Sequence, residues 1–199
     1  LHPPLLDNIH TMKEHLKDFI RQSISIEEQE LETIVARFKP RTVKRHESIL
    51  MAGEPCKEFY FIVKGGIRVY FLSQKGHEKT NHIALENTII SAMSSFITQM
   101  PSFELIDALE DTELLAISHD DFYDLVHNCR GWELYYRIIL ETAYVTKIKR
   151  IETRVTLSAK ERFDAVIAEN PSIIQRVSNQ VLSSYLDITQ ETLSRLKSR

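Results

Sequence analysis

The stretch SNQVLSSYLDITQETLSRLKSR, residues 178–199, contains two short helical patterns joined by the three residues Asp-Ile-Thr. Apolar residues recur in it at helical spacing and are expected to form a core that both helices share. These residues are Val181, Leu182, Tyr185, Leu186, Ile188, Leu193 and Leu196. Two helices joined by so short a turn follow the helix-turn-helix plan, in which the second helix enters the major groove of DNA.

The second helix of this pair carries side-chain types that recognise bases. Arg can donate two hydrogen bonds to guanine, Gln suits adenine, and Glu accepts a hydrogen bond from cytosine. Thr189 is placed to cap the helix, and its first turns present the polar residues that follow. The predicted DNA-binding residues are Thr189, Gln190, Glu191, Ser194, Arg195 and Lys197. Arg176 and Arg199 are further candidates for phosphate contacts, and the alternative is a helical hairpin with no DNA-binding role.

A long helix without Gly or Pro precedes this pair, over residues 132–156, and Gly131 is expected to separate it from the short helix HDDFYDLVHN. Its apolar stripe is too wide for one contact face, which predicts packing on a partner helix as well as on its own domain. The predicted dimer contacts are Ile138, Val145, Ile148 and Val155. The alternative is a central helix buried within one monomer.

Residues 41–118 show a period of two, which predicts six to eight short strands in an antiparallel sandwich or barrel. Gly65-Gly66 lies between two apolar strands and suits a tight hairpin. Before the strands, two helical patterns occur, and Ser25 with Glu28 resembles a capping box at the start of the second. Ser158 with Glu161 forms a similar pattern near residue 157, the expected boundary of the last domain.

Composition limits the number of domains and the class of protein only broadly. A chain of 199 residues, 43% of them hydrophobic, can form one large domain or two small ones. Residues 147–199 carry ten Lys or Arg and six Asp or Glu, whereas residues 1–146 carry fifteen and twenty-two. A basic end on an acidic body suggests that only the end meets a polyanion, although the excess is small. Two distant cysteines and no membrane-length apolar run favour a cytoplasmic protein.

The whole pattern resembles the cyclic-AMP-receptor/fumarate-nitrate-regulator (CRP/FNR) family of bacterial transcription factors. The segment ITQETLSRLK is similar to the family's recognition helix, in which Glu191 and Arg195 match base-contacting residues and Gln190 replaces a common Arg. SAKERFDAVIAENP followed by VSNQVLSSYLDIT is similar to the subgroup common in Bacteroidetes-type bacteria.

The resemblance implies an α+β fold with an N-terminal antiparallel, jelly-roll-like β-roll flanked by helices. Residues 1–130 would be a cyclic-nucleotide-binding-like sensor, residues 131–156 a dimerisation helix and residues 157–199 a helix-turn-helix domain. The family continues into a β-hairpin wing, and the present sequence stops before it, so the expected fold lacks the wing.

The same resemblance places an effector pocket in the roll, where the family uses a glutamate for the ribose and an arginine for the cyclic phosphate. The glutamate position falls on Ala92 and the arginine position near Ser102 or Phe103, and residues 89–106 contain no Lys or Arg. An anion buried without a cation would lose its solvation uncompensated, so cyclic AMP is not expected to bind well. The candidate pocket residues are Ser91, Ala92, Met93, Ser102, Phe103 and Thr146. The alternative is that the apolar members simply fill the roll as core.

The leading hypothesis is therefore a homodimeric regulator that binds double-stranded DNA at a palindromic site, with RNA polymerase as a further partner and an unknown small-molecule effector. No cofactor is expected, since an iron–sulfur switch needs about four cysteines and neither a haem nor a zinc site is indicated. No enzyme motif occurs in the sequence. The alternative is a degenerate nucleotide-binding module that acts as a regulatory subunit without contacting DNA.

Overall fold

The computed structural model describes residues 3–198, with side chains from Asn8 onward. Two helices open the chain, α1 (Pro3–Arg21) and α2 (Glu28–Ala36). Alternating apolar residues then form eight strands: β1 (Lys39–Val43), β2 (Ser48–Leu50), β3 (Glu58–Lys64), β4 (Ile67–Leu72), β5 (Glu78–Ala84), β6 (Thr88–Ile90), β7 (Glu104–Ala108) and β8 (Thr112–Ser118). A short helix, α3 (Met93–Thr98), lies between β6 and β7. The remaining helices are α4 (His119–Asn128), α5 (Arg130–Thr156), α6 (Ala159–Glu169), α7 (Ile173–Arg176), α8 (Asn179–Leu186) and α9 (Gln190–Lys197).

The strands form two antiparallel four-stranded sheets, in the orders β1-β8-β3-β6 and β2-β7-β4-β5. Every pairing between them is antiparallel, as in the register Val69↔Ile106 between β4 and β7. The predicted α+β fold with an antiparallel β-roll is therefore confirmed. β5 is an edge strand, which leaves one row of its backbone groups free for other partners.

The roll and the start of α5 share an aromatic core. Trp132 and Tyr135 on α5 are fully buried, and the Trp132 ring lies 5.2 Å from Phe122 of α4 and 5.8 Å from Phe38. Phe122 in turn lies 4.9 Å from Phe59 of β3. Because burial of such rings contributes strongly to stability, the first turns of α5 are anchored to the roll. From residue 140 to residue 149 the helix is exposed.

A second core joins the C-terminal helices to each other and to the roll. Its fully buried centres are Leu182 of α8 and Leu193 of α9. Leu109, in the turn between β7 and β8, belongs to the same cluster, and Ile83 of β5 packs against it. The residues that the helical spacing predicted as a shared core do pack together, but they also contact the roll.

Several local predictions differ from the structure. Gly65-Gly66 does not form a hairpin, because β3 and β4 belong to different sheets and the glycines carry the chain across. Gly131 does not separate α4 from α5; the break is at Cys129, whose backbone is extended, and Gly131 lies buried in the first turn of α5. Ser25 does not cap α2, whose N-cap residue is Glu27 with no side-chain cap. The capping box of Ser158 and Glu161 is confirmed.

Candidate nucleic-acid interface and effector region

Two N-cap residues and one residue in the left-handed conformation define the ends of the C-terminal helices α8 and α9. The Ser178 hydroxyl accepts a hydrogen bond from the Val181 amide at 3.3 Å, and the Thr189 hydroxyl accepts one from the Thr192 amide at 3.1 Å. Each bond satisfies an amide that the helix itself leaves without a partner. Asp187 ends α8 with φ of 54°, a conformation that its short polar side chain tolerates. The turn between the helices is Asp187-Ile188-Thr189, as the sequence predicts.

The α9 helix presents its polar face to solvent. Leu193 is fully buried beneath it, whereas Gln190, Glu191, Ser194 and Arg195 are all exposed. The side chains of Arg195 and Glu191 are 74% and 75% exposed and form an ion pair with each other one turn apart. Exposed pairs of this kind contribute little to stability, so both groups can exchange partners at low cost.

Two other predicted DNA-binding residues already have protein partners. Thr189 uses its hydroxyl to cap α9. The Lys197 ammonium donates a hydrogen bond to the Asn179 side-chain oxygen at 2.6 Å, at the exposed start of α8. This contact joins the end of α9 to the start of α8 and leaves the ammonium at the surface.

Arg176, a candidate for phosphate contact by sequence, does not lie free at the surface, because protein groups occupy its guanidinium in this structure. Its guanidinium donates to both carboxylate oxygens of Glu86, at 2.7 Å each, to Glu110 from Nε at 3.0 Å, and to the Gly65 carbonyl at 3.1 Å. These partners are 66 to 111 residues away in the chain. All three lie on turns of the roll, so Arg176 joins the C-terminal segment to the roll.

A second contact of this kind lies along the edge of β5. The Ser184 hydroxyl on α8 accepts from the Thr80 amide at 2.8 Å and donates to the Glu78 carbonyl at 3.0 Å. Arg150 of α5 stacks over the Tyr185 ring at 4.1 Å and donates to the carbonyls of Thr80 and Tyr185 at 3.3 and 3.4 Å. Sequence analysis missed Ser184 and Arg150, because nothing in the local pattern shows that a strand edge 70 or more residues away will meet them.

Burial shifts the pKa values of two groups on or near β5, His82 and Glu104. The His82 imidazole is desolvated and lies near the Arg150 guanidinium, and together these lower its pKa to about 4. The neutral ring therefore predominates at pH 7. Burial also raises the pKa of Glu104 above its ordinary value, although a hydrogen bond from Asn81 at 2.9 Å opposes this effect.

The exposed stripe on α5 contains most of the predicted dimer residues. Val155 is 80% exposed, Val145 49% and Ile148 37%, while Ile138 is partly buried against the roll. Further large apolar side chains on this part of α5 are exposed to solvent: Leu140, Tyr144 and Ile151. An apolar stripe of this length has no partner among the described residues and marks an interaction surface.

The six candidate effector residues differ widely in their burial. Ala92 is fully buried, and the buried Ser91 and Ser102 hydroxyls donate to the carbonyls of Glu58 and Glu104, at 3.0 Å each. Met93 is partly buried and packs against the roll core. By contrast, Phe103 is 86% exposed, and Thr146 is exposed on α5.

The roll interior next to α3 is filled by protein side chains. Phe96 of α3 is fully buried and lies 5.1 Å from Phe122 and 5.5 Å from Phe59. The Ser95 hydroxyl donates to the Met100 carbonyl at 2.6 Å and accepts from the Cys56 amide at 2.9 Å. These polar groups are satisfied by the chain's own backbone.

No group of three or more His, Cys, Asp or Glu side chains within the described residues could hold a metal ion. None of their helices is long and apolar enough to cross a membrane.

Comparison with known proteins gives both a domain and a fold. The sequence profile of the family described as the cyclic nucleotide-binding domain matches residues 40–129. A curated relative, the anaerobic regulatory protein of Pasteurella multocida (strain Pm70), is 26% identical over 88% of this chain and 68% of its own length.

Solved structures of regulators share the architecture. The c-di-GMP responsive global regulator CLP of Xanthomonas campestris is similar with a TM-score of 0.69 and 14% identity, covering 86% of this chain and 90% of that one. FixK2 of Bradyrhizobium japonicum is similar with a TM-score of 0.69 and 16% identity, covering 81% and 83%. At such identities the likeness establishes the fold, and it includes the helices after the roll.

Proposed function

We propose that this chain is a transcription regulator of the Crp/Fnr type that binds specific DNA sequences as a homodimer, because the cyclic nucleotide-binding domain profile matches residues 40–129 and regulators of known structure share the fold. In this proposal α9 is the recognition helix and α5 the dimerisation helix. The division into a sensor over 1–130, a dimer helix over 131–156 and a DNA-binding domain over 157–199 is part of the proposal.

The exposed face of α9 is the observation that supports DNA binding most directly. Leu193 packs this helix on α8, and the Thr189 cap fixes its start, so the outward positions are held on a rigid element. Arg195 can reach guanine and Glu191 can accept from cytosine, which predicts G·C pairs in each half-site. Gln190, Ser194 and Lys197 would complete the contacts from the same helix.

The exposed stripe of α5 supports the dimer. Val145, Ile148 and Val155 recur at intervals of three and seven residues, which places them along one side of the helix. Packing the stripe on a second copy would remove its apolar surface from water, at about 25 cal/mol per Å². A two-fold dimer would present two α9 helices to half-sites about 34 Å apart.

We infer further that the roll does not recognise cyclic AMP. The Ala92 side chain offers no acceptor for a ribose hydroxyl, and the buried hydroxyl of Ser102 is engaged with the Glu104 backbone. No Lys or Arg lies between residues 89 and 106 to pair with a phosphate. An effector of the roll would have to be of another class, and RNA polymerase is the further expected partner.

Selection of duplexes from a randomised DNA pool tests this function. The expected product is a palindromic motif whose half-sites contain G·C pairs and whose centres are about 10 base pairs apart. Absence of binding to any duplex at low salt, about 50 mM, would contradict the proposal, since phosphate contacts alone give measurable affinity there. That outcome would favour a regulatory subunit that acts without DNA.

A further inference from the structure

Two sets of hydrogen bonds fasten the C-terminal segment, residues 157–198, to the roll, in addition to an exposed ion pair between Lys79 and Asp187. In the first set, Ser184 of α8 satisfies the Thr80 amide and the Glu78 carbonyl on the free edge of β5. In the second set, Arg176 is bound by Glu86, Glu110 and the Gly65 carbonyl. Between them, Leu109 of the roll is buried in the core of the C-terminal helices. α9 follows α8 after a turn of three residues, so these contacts set the position of the recognition helix.

The Arg176 ion pairs are partly buried and have bidentate geometry. The Arg176 side chain is 24% exposed, and those of Glu86 and Glu110 are 34% exposed. Two parallel bonds to one carboxylate give the strongest geometry for a guanidinium, and the second carboxylate adds to it. Only an anion that offers comparable oxygens could replace these two carboxylates.

DNA is such an anion. Residues 147–199 carry a net charge of +4 by sequence and residues 1–146 a net charge of −7, so docking places the basic segment beside an acidic surface. In the docked arrangement Arg176 is neutralised internally, and the carboxylates beside it repel phosphates. The same side chain can serve either the roll or the nucleic acid, but not both.

We propose that Arg176, Glu86 and Glu110 form an autoinhibitory latch in which the carboxylates of the roll compete with DNA phosphates for Arg176. The latched form holds the DNA-binding segment on its own sensor region and binds duplex weakly. Opening transfers Arg176 from the roll to the DNA backbone. The latch goes beyond the proposed function. Only the expected effect of the latch on DNA affinity rests on the proposed function.

Charge neutralisation tests the competition. The double variant Glu86→Gln/Glu110→Gln removes both carboxylates and keeps Arg176. We expect its affinity for a random duplex to rise about tenfold at low salt, and the slope of log K against log salt to steepen by about one. Adding Arg176→Gln to the double variant should abolish both gains. Unchanged affinity and slope in the double variant would overturn the proposal.

A matched control separates the latch from net charge. Glu27→Gln/Asp120→Asn makes the same change of two charges at exposed positions that form no hydrogen bond or ion pair with residues 157–198 of the described chain. We expect its salt slope to match that of the wild type. An equal gain in the control would mean that overall charge, and not competition for Arg176, sets the affinity.

Hydrogen exchange tests the latch without DNA. In Arg176→Gln and in the double variant, we expect the Thr80 amide and the amides of α8 to exchange at least several-fold faster than in the wild type, because docking is weakened. Unchanged exchange would overturn the latch. If the wild-type protein binds no DNA but exchange accelerates in the variants, the proposed function fails and the latch stands as an interdomain contact.

Discussion

Arg176 and Glu86, ninety residues apart in the sequence, form an ion pair through two hydrogen bonds of 2.7 Å each. The arginine is the last residue of α7, and the glutamate lies in the turn after the edge strand β5. The pair therefore joins the C-terminal segment that carries α9 to the β-roll. Its properties can be measured apart from any DNA-binding assay.

The first prediction concerns the pH dependence of this pair. Burial of the Glu86 carboxyl favours its neutral form, but hydrogen bonds from Arg176 and from the Gly65 amide outweigh burial and lower its pKa below its ordinary value of 4.5. A carboxylate with a lowered folded-state pKa stabilises the fold above its unfolded-state pKa, and this contribution is lost as the pH falls through the folded-state value. The difference in melting temperature between wild type and Glu86→Gln should be full near pH 7 and should shrink below about pH 4. A difference that stays constant from pH 7 to pH 3 would show that the glutamate acts through packing and not through its charge.

The second prediction compares two glycines that both adopt positive φ. A Cβ at Gly65, where φ is +95°, would lie 2.5 Å from the Thr112 hydroxyl oxygen and 2.7 Å from the Asp111 carbonyl oxygen. At Gly76, where φ is +76°, a Cβ would meet nothing within 4 Å. Gly76→Ala should cost about 1 kcal/mol in unfolding free energy from backbone strain alone, and Gly65→Ala about 3 kcal/mol or more because a backbone must also move. Urea denaturation of the two variants measures both costs, and equal losses would refute the steric argument.

The third prediction tests the α5 stripe. Ile151 is 56% exposed, and Ile151→Glu should place a charge inside the proposed dimer seam, where burial without a partner is costly. Sedimentation velocity should then show monomers at concentrations where the wild type is dimeric. Lys149→Glu, two residues away on another side of the helix, is the matched control and should remain a dimer. A wild-type protein that sediments as a monomer would contradict the seam.

The sequence predicts local structure well where the pattern is local. Sequence patterns identified most of the helices and strands, the Ser158 capping box and the turn that ends at Thr189, because neighbours within four residues set each of them, but they missed the short helices α3 and α7. They did not identify which strands pair: the apolar runs around Gly65-Gly66 resemble a hairpin, yet the chain crosses there between sheets. Periodicity also supplied the order of strands, long helix and helix pair, whereas the family resemblance supplied the β-roll arrangement and the three-part division of the chain.

Long-range partners account for what the sequence could not show. Arg176 stands in a basic segment and suits a phosphate contact by type, but its partners come from three turns that only the folded roll brings together. Ser184 is an ordinary helix residue until the edge of β5 lies against it. The exposure of Phe103 and the burial of Ala92 likewise depend on how α3 packs, which no spacing encodes.

The fourth prediction concerns cyclic AMP. A buried phosphate needs a cation or several amides, and the region around α3 offers Ala92, Ser102 and no Lys or Arg from residue 89 to residue 106. Millimolar cyclic AMP should therefore leave the melting temperature unchanged, since stabilisation by a ligand grows only as its concentration exceeds the dissociation constant. Titration calorimetry gives an independent measure. Saturable binding at micromolar concentration would contradict the absence of a phosphate site and direct attention back to the roll.

The last prediction separates base recognition from general attraction to DNA. Arg195 is 74% exposed on α9 and needs only to exchange its ion pair with Glu191 for two hydrogen bonds to guanine. Arg195→Ala should cost about 1–3 kcal/mol on the selected operator but much less on an operator with that one base pair changed. Lys197→Ala, at the last residue of α9 and bonded to Asn179, is the matched control: it should weaken binding by a similar factor on every sequence and lower the salt slope by about one. Fluorescence anisotropy with wild-type and single-substitution duplexes measures both patterns. A uniform loss for Arg195→Ala would mean that this arginine contacts phosphate, and specificity would then have to come from Gln190 and Glu191.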